Sequence, residues 1–210
     1  MLIGKIVTAA RAGARTLHGR LIFNRRVSVL ARILADLLPP QSKVLDIGCG
    51  SGDVAAAIMK MRADLTIRGV DVLVREEPAI PVQRYDGRTL PFAADEVDIC
   101  MLVDVLHHTD DPQAVLEEAK RVSRLGVVLK DHFRDGAMAG PTLRLMDWIG
   151  NAPHGVRLNY NYLSRSEWAL LWGKVGMMPC QLADRVPLYP RPLSAIFGRR
   201  LHFTVFLKSL

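Results

Sequence analysis

The chain has 210 residues, half of them hydrophobic, and a formal net charge of +7. That composition supports one domain with a buried core, and the longest apolar stretches, 21–38 and 137–150, are broken by charges and are not expected to cross a bilayer. Cys49, Cys100 and Cys180 are scattered without Cys-x-x-Cys spacing, which excludes a disulfide framework or a cysteine zinc site and fits a cytoplasmic location.

Residues 1–38 read as a basic amphipathic helical region preceding a domain over 39–210. Lys5, Arg11, Arg15, Arg20, Arg25, Arg26 and Arg32 fall in the first 35 residues with no acid among them. Over 14–38, Leu21, Ile22, Val29, Leu30, Ile33, Leu34, Leu37 and Leu38 recur near helical spacing, and Pro39-Pro40 stops the helix. The period then changes. A short strand at 43–47 runs into Gly48-Cys49-Gly50-Ser51-Gly52, and a helix is expected over 53–61. Further strands are expected at 66–70, 81–85, 97–103 and 126–130, with a helix over 112–123 started by Asp111-Pro112. Residues 133–163, rich in Gly, Pro, Asn and aromatics, read as a lid. Ser164-Arg165-Ser166-Glu167 is a capping box that opens a helix through Lys174, with Gly176 beyond its end. Two late strands are expected near 181–186 and 201–208.

Strands alternating with helices predict an α/β fold with a mainly parallel sheet and right-handed crossovers. In such sheets ligands lie outside the carboxyl ends of the strands. Asp46, Asp71, Asp86, Asp104 and Asp131 all stand at or near those ends.

The glycine turn carries the most chemistry. Three glycines at alternate positions let a backbone approach a ligand closely, and the helix that follows aims free N–H groups at it. A dinucleotide site asks for glycine or alanine where this chain has Asp53. Asp53 would repel a pyrophosphate, whereas a cationic ligand without phosphate is favoured by surrounding acids. Asp71 can accept ribose hydroxyls, and Asp86-Gly87 can accept an adenine amino group.

Val44-Leu45-Asp46-Ile47-Gly48-Cys49-Gly50-Ser51-Gly52, Gly69-Val70-Asp71, Tyr85-Asp86-Gly87-Arg88-Thr89-Leu90-Pro91-Phe92 and Val105-Leu106-His107-His108-Thr109-Asp110-Asp111-Pro112 resemble, in order, the motifs of class I S-adenosylmethionine (SAM)-dependent methyltransferases of the type 11 group. The resemblance covers about residues 43–132. It implies a Rossmann-like seven-stranded sheet with helices on both faces and an antiparallel C-terminal strand. It implies SAM as cofactor, with Asp46, Gly48 and Gly50 at the methionine part, Asp71 at the ribose, Asp86 and Gly87 at the adenine, Val103 and Asp104 beside the sulfonium, and Cys49 and Val72 as further cofactor-binding residues. No metal is expected. The chain departs from the family pattern in a short Pro-containing 72–80 segment and in Ser123-Arg124-Leu125-Gly126 before the fifth strand.

Methyl transfer needs alignment of the nucleophile with the methyl and, for O or N acceptors, removal of a proton. His108 and His132 are the base candidates; a histidine titrates in the range required. His154, Asn159, Tyr160 and Tyr162 in the lid are candidates for substrate contact. The expected acceptor is a small molecule or a lipid-like compound, with the basic N-terminal region making peripheral contact with an anionic membrane. The alternatives are an RNA methyltransferase or a non-catalytic SAM-binding subunit; no DNA partner is expected.

Overall fold

The computed structural model describes residues 23–151, 159–198 and 200–210. Five parallel strands come first: β1 (Lys43–Ile47), β2 (Thr66–Asp71), β3 (Val82–Arg84), β4 (Val97–Val103) and β5 (Ser123–His132). With β6 (Met177–Ala183) and β7 (His202–Ser209) they form one seven-stranded sheet in the order β3-β2-β1-β4-β5-β7-β6. β7 is antiparallel to both neighbours, so the sheet has the expected architecture. The order reverses between β1 and β4, which places a crevice at the carboxyl ends of those two strands.

Alternation along each strand sends residues to opposite faces. Leu45, Cys100, Leu102, Val127 and Leu129 meet helices α3 (Pro112–Val122) and α5 (Arg165–Val175) on one side. Val44, Ile99, Met101 and Val128 meet α2 (Asp53–Met61) and the helix α1, residues 23–37, on the other. Leu30, Ala31 and Leu34 of α1 have no exposed surface. The later part of the N-terminal helical region is therefore built into the core, and residues 1–22 lie outside the described residues. Arg62 closes the end of α1 by donating Nη1–H groups to the carbonyls of Ala35 (2.7 Å) and Leu38 (3.2 Å).

Three elements differ from expectation for local reasons. β5 starts directly at Ser123, the residue that ends α3, so no separate turn precedes it. Gly126 sits inside this strand at φ +140°, beside a register shift in the β4–β5 ladder, and a Cβ there would lie 2.2 Å from the Leu207 carbonyl oxygen. β6 begins four residues earlier than expected and contains Pro179, tolerated because β6 is an edge strand with a register shift at that point. Within the expected lid, Ala139–Asn151 forms a helix, α4. Among the described residues no helix is long and apolar enough to cross a membrane.

Since Leu34 is fully enclosed by the α1–sheet contact, Leu34→Ala should lower unfolding free energy by about 2–5 kcal/mol. The exposed neighbour change Arg32→Gln should stay within about 0.5 kcal/mol. Urea unfolding of the two variants measures the difference.

Candidate active site

The first half of the site is the turn after β1. Gly48 and Cys49 both donate backbone N–H groups to the Val70 carbonyl, at 2.8 and 3.3 Å. Gly48 adopts φ +69°, and a Cβ on it would lie 2.7 Å from Val105 Cγ2. The turn is thus pressed against the segment leaving β4. Around Gly50 the direction of an added Cβ is open. Its N–H donates to Asp71 Oδ2 at 2.7 Å, while the Leu73 N–H donates to Asp71 Oδ1 at 2.8 Å. Asp71 therefore ties the glycine turn to the loop after β2 and still has lone pairs for a second partner on each oxygen.

Asp46 lies behind this turn, 3% exposed, and its Oδ1 has no hydrogen-bond partner among the described residues. Burial, reinforced by the charge of Asp71, pushes its pKa up to about 8. A buried carboxylate held in this way favours any cation placed beside it. Cys49 directs its sulfur onto β2, where a Cβ at Gly69 would meet it at 2.4 Å, so Cys49 offers a ligand its backbone. Gly87 and Val72 face each other, with an added Cβ at Gly87 3.1 Å from Val72 Cγ1. Asp86 is exposed, and its Oδ1 accepts the N–H groups of Arg88 and Thr89, both at 2.8 Å. That arrangement braces its own turn.

The second half is an ion network at the ends of β4, β5 and β7. Asp104 leaves β4 at φ +59°, and its two carboxylate oxygens are held by Lys130 of β5 and Arg26 of α1. Lys130 is completely buried, and its Nζ also meets His202 Nδ1 at 3.3 Å. Asp131 points the other way. Its Oδ1 lies 2.6 Å from His107 Nδ1 and 3.2 Å from His132 Nδ1. Burial opposes a charge on His107, but the Asp131 carboxylate outweighs it and raises the pKa to about 9. His132 experiences the reverse: burial and the charge of Lys130 push its pKa well down.

The short 3₁₀ turn Leu106–His108 joins the two halves. The segment 159–162 clamps it. Asn161 N–H donates to the His107 carbonyl at 3.0 Å, and Asn159 Nδ2 donates to the His108 carbonyl at 2.8 Å. α4 closes it from outside through Asp147, which receives the Tyr162 hydroxyl at 2.9 Å and lies 3.4 Å from His108 Nε2. Burial and the neighbouring charged His107 lower the His108 pKa, partly offset by Asp147. A cavity of about 530 Å³ opens beside this clamp, lined by Arg134, Gly140, Pro141, Arg144, Tyr160 and Tyr162.

Ligand-type atoms of Asp104, His107, Asp131 and His132 lie within 4.8 Å of one another, as do those of His107, His108 and Asp147. Asp104 in the first group already faces two cationic side chains, and Asp131 faces a charged imidazole.

Residues 45–129 match the family described as a methyltransferase domain. An uncharacterized methyltransferase of Mycobacterium leprae is 35% identical over 133 residues, covering 57% of this chain and 48% of that protein. The chain spans about half the length of the curated relatives it matches. Solved structures share the fold of the matched segment and its flanks. A complex of the Haloferax volcanii Trm112 methyltransferase activator with a methyltransferase gives a TM-score of 0.67 at 16% identity, over 95% of this chain and 97% of that one. A SAM-dependent methyltransferase from Aquifex aeolicus gives 0.61 at 18% identity, over 88% and 93%.

Within the matched segment, the glycine turn, Asp46, Asp71, Val72 and Gly87 gather around the carboxyl ends of β1 and β2. Val103, half-buried at the end of β4, packs with the α1–α2 core. Three expectations are revised by geometry. The carboxylate of Asp104 is held by Lys130 and Arg26, so its charge is already matched within the protein. His132 is buried inside the network, whereas His108 is half-buried at its edge. Asn159 and Tyr162 direct their polar groups onto the protein itself, while Tyr160 lines the cavity. His154 falls outside the described residues. Sequence reading missed Val105, Arg26 and Asp147. Only Arg26 carried a signal, as a charge within the apolar period of α1; Asp147 looked like one more polar residue in a lid.

The His107–Asp131 pair sets a pH dependence of stability. Because the folded pKa of His107 exceeds its ordinary 6.5, the stabilisation is complete below pH 6.5 and is lost as pH rises through about 9. The wild type should lose stability across that window, and His107→Gln should flatten the slope there while costing about 3–5 kcal/mol near neutrality by leaving Asp131 buried and unpaired. Chemical denaturation at a series of pH values measures both.

Proposed function

We propose that the protein transfers the methyl group of SAM to an oxygen, nitrogen or carbon nucleophile of a small-molecule or lipid-like acceptor. The observation that carries this reading is the pairing of an orphaned, buried Asp46 carboxyl oxygen with open space in front of Gly50. These features fit SAM: its amino acid part presents a cation, and a side chain at position 50 would occupy the cradle. Bound there, SAM supplies an electrophilic methyl on a positively charged sulfur.

The chain's own residues then have separable tasks. Asp46 neutralises the ammonium, Asp71 accepts ribose hydroxyls with its remaining lone pairs, and Val72 with Gly87 forms the adenine side. His108 takes a proton from an O or N acceptor. Asp147 Oδ1 lies 3.4 Å from its Nε2, so α4 holds this ring in place. Burial and the charge on His107 lower its pKa, which favours the neutral ring that can accept a proton. The cavity beside α4, with aromatic and apolar walls and two arginines, suits an amphipathic acceptor.

Incubation with methyl-labelled SAM and a fractionated cell extract tests the reading. Label in the lipid or small-solute fraction supports it; label confined to RNA or protein, or none at all, overturns it.

Two further outcomes follow from the site. Asp46 is protonated in the free protein near neutrality, and a bound ammonium draws that proton off. Affinity for S-adenosylhomocysteine should therefore tighten as pH rises toward about 8, and calorimetry should detect proton release at pH 7; Asp46→Asn should abolish both. Separately, His108→Gln should reduce methyl transfer about 10²- to 10⁴-fold with S-adenosylhomocysteine affinity within a few-fold. The wild-type rate should decline on the acid side with a midpoint below pH 6.5, read from label incorporation against pH.

A further inference from the structure

Helix α4 is apolar on the side that faces away from the protein. Leu145, Trp148 and Ile149 are 48%, 59% and 58% exposed, and Met138, just before the helix, is 58% exposed. At 3.6 residues per turn, Met138, Pro141, Leu145, Trp148 and Ile149 fall within an arc of about 100°. Ala139, Leu143 and Asp147 are buried on the opposing arc. The helix therefore keeps its one acid inside and presents its tryptophan outside, the reverse of an ordinary surface helix. A contiguous apolar stripe of this kind marks a contact surface.

From this surface we infer that the outer face of α4 seats on an anionic membrane. Charge decides the occupant. The exposed arc contains no acid, and the charged residue at its edge is Arg144. Helix α6 (Ser194–Phe197) packs on α4 and leaves Ile196 53% exposed between Arg191 and Arg200, both exposed. Tryptophan is well suited to the boundary between headgroups and acyl chains, and basic residues around an apolar face add attraction to anionic lipids.

Position supplies the second argument. Pro141 and Arg144 belong both to the outer side of α4 and to the wall of the cavity. An amphipathic acceptor leaving the bilayer at this face would enter the cavity without exposing its apolar part to water. The surface itself does not depend on methyl transfer, so the test reads binding alone.

The full-length chain would be mixed at low salt with vesicles of phosphatidylcholine alone or of equal parts phosphatidylcholine and phosphatidylglycerol. The wild type should sediment with the anionic vesicles, with little binding to the neutral ones. Its tryptophan emission should shift to the blue, since Trp148 is exposed whereas Trp168 and Trp172 are buried. Trp148→Ser combined with Ile149→Ser should weaken vesicle binding at least about tenfold and abolish the emission shift, with an unchanged melting temperature. Vesicle binding unaltered in the double variant would assign the attraction to the basic segments and overturn the proposal. So would absence of binding by the wild type. A wild-type dimer in sedimentation velocity that the double variant dissolves, without vesicle binding, would assign the stripe to a second copy of the chain.

Discussion

The carboxylate of Asp104 is the point to which four parts of the chain are fastened. It stands at the end of β4, receives Lys130 from β5 and Arg26 from α1, and through Lys130 reaches His202 of β7. Charges buried this deeply are costly unless each has a partner. Removing any member would leave another charge stranded, so the partners hold one another in place. This also explains why α1 cannot be a detachable arm. Its apolar side completes the core, and its Arg26 completes the charge balance at the rim. The left-handed backbone at Asp104 is tolerated because the surrounding contacts fix it there.

Beside that saturated network, the crevice at Asp46 is deliberately incomplete. The same rim holds two kinds of acid. Asp104 and Asp131 are matched to cations within the protein and stay ionised well below the usual carboxylate range. Asp46 has burial and a like charge for neighbours, and its pKa moves up. A buried, unmatched carboxyl costs stability, and a cationic group placed beside it relieves that cost. Such a contrast between neighbouring carboxyls is the usual mark of a site rather than of a scaffold.

The two histidines of the 106–108 turn show the same division. His107 is drawn to Asp131 and carries charge at neutral pH; that charge then depresses His108 next to it. One imidazole sets the electrostatics and the other is left neutral. α4 takes part in both, because Asp147 reaches each ring, at 3.9 and 3.4 Å. The helix that covers the site is thereby coupled to its proton chemistry, while its outer face is free for contact elsewhere.

Much of this was legible in the sequence because it is local. The apolar run at 43–47, the alternating glycines, Asp111-Pro112 and the Ser164–Glu167 box each act within a few residues, and each was found where it was expected. The mainly parallel seven-stranded sheet and its antiparallel C-terminal strand followed from the alternation of elements together with the family resemblance; the strand order did not. What the sequence did not reveal lies in contacts between distant residues. α4 carries apolar residues on both faces, so it shows no clear helical period; its fold became visible only when Asp147 met His108 and Tyr162. β6 contains a proline that counts against a strand until its edge position is known. The roles of Asp104 and His132 depend on Arg26 and Lys130, 78 and 26 residues from Asp104. A side chain's type fixes what bonds it can make, but its charge state and its partner are set by burial and by neighbours that only the folded chain brings together.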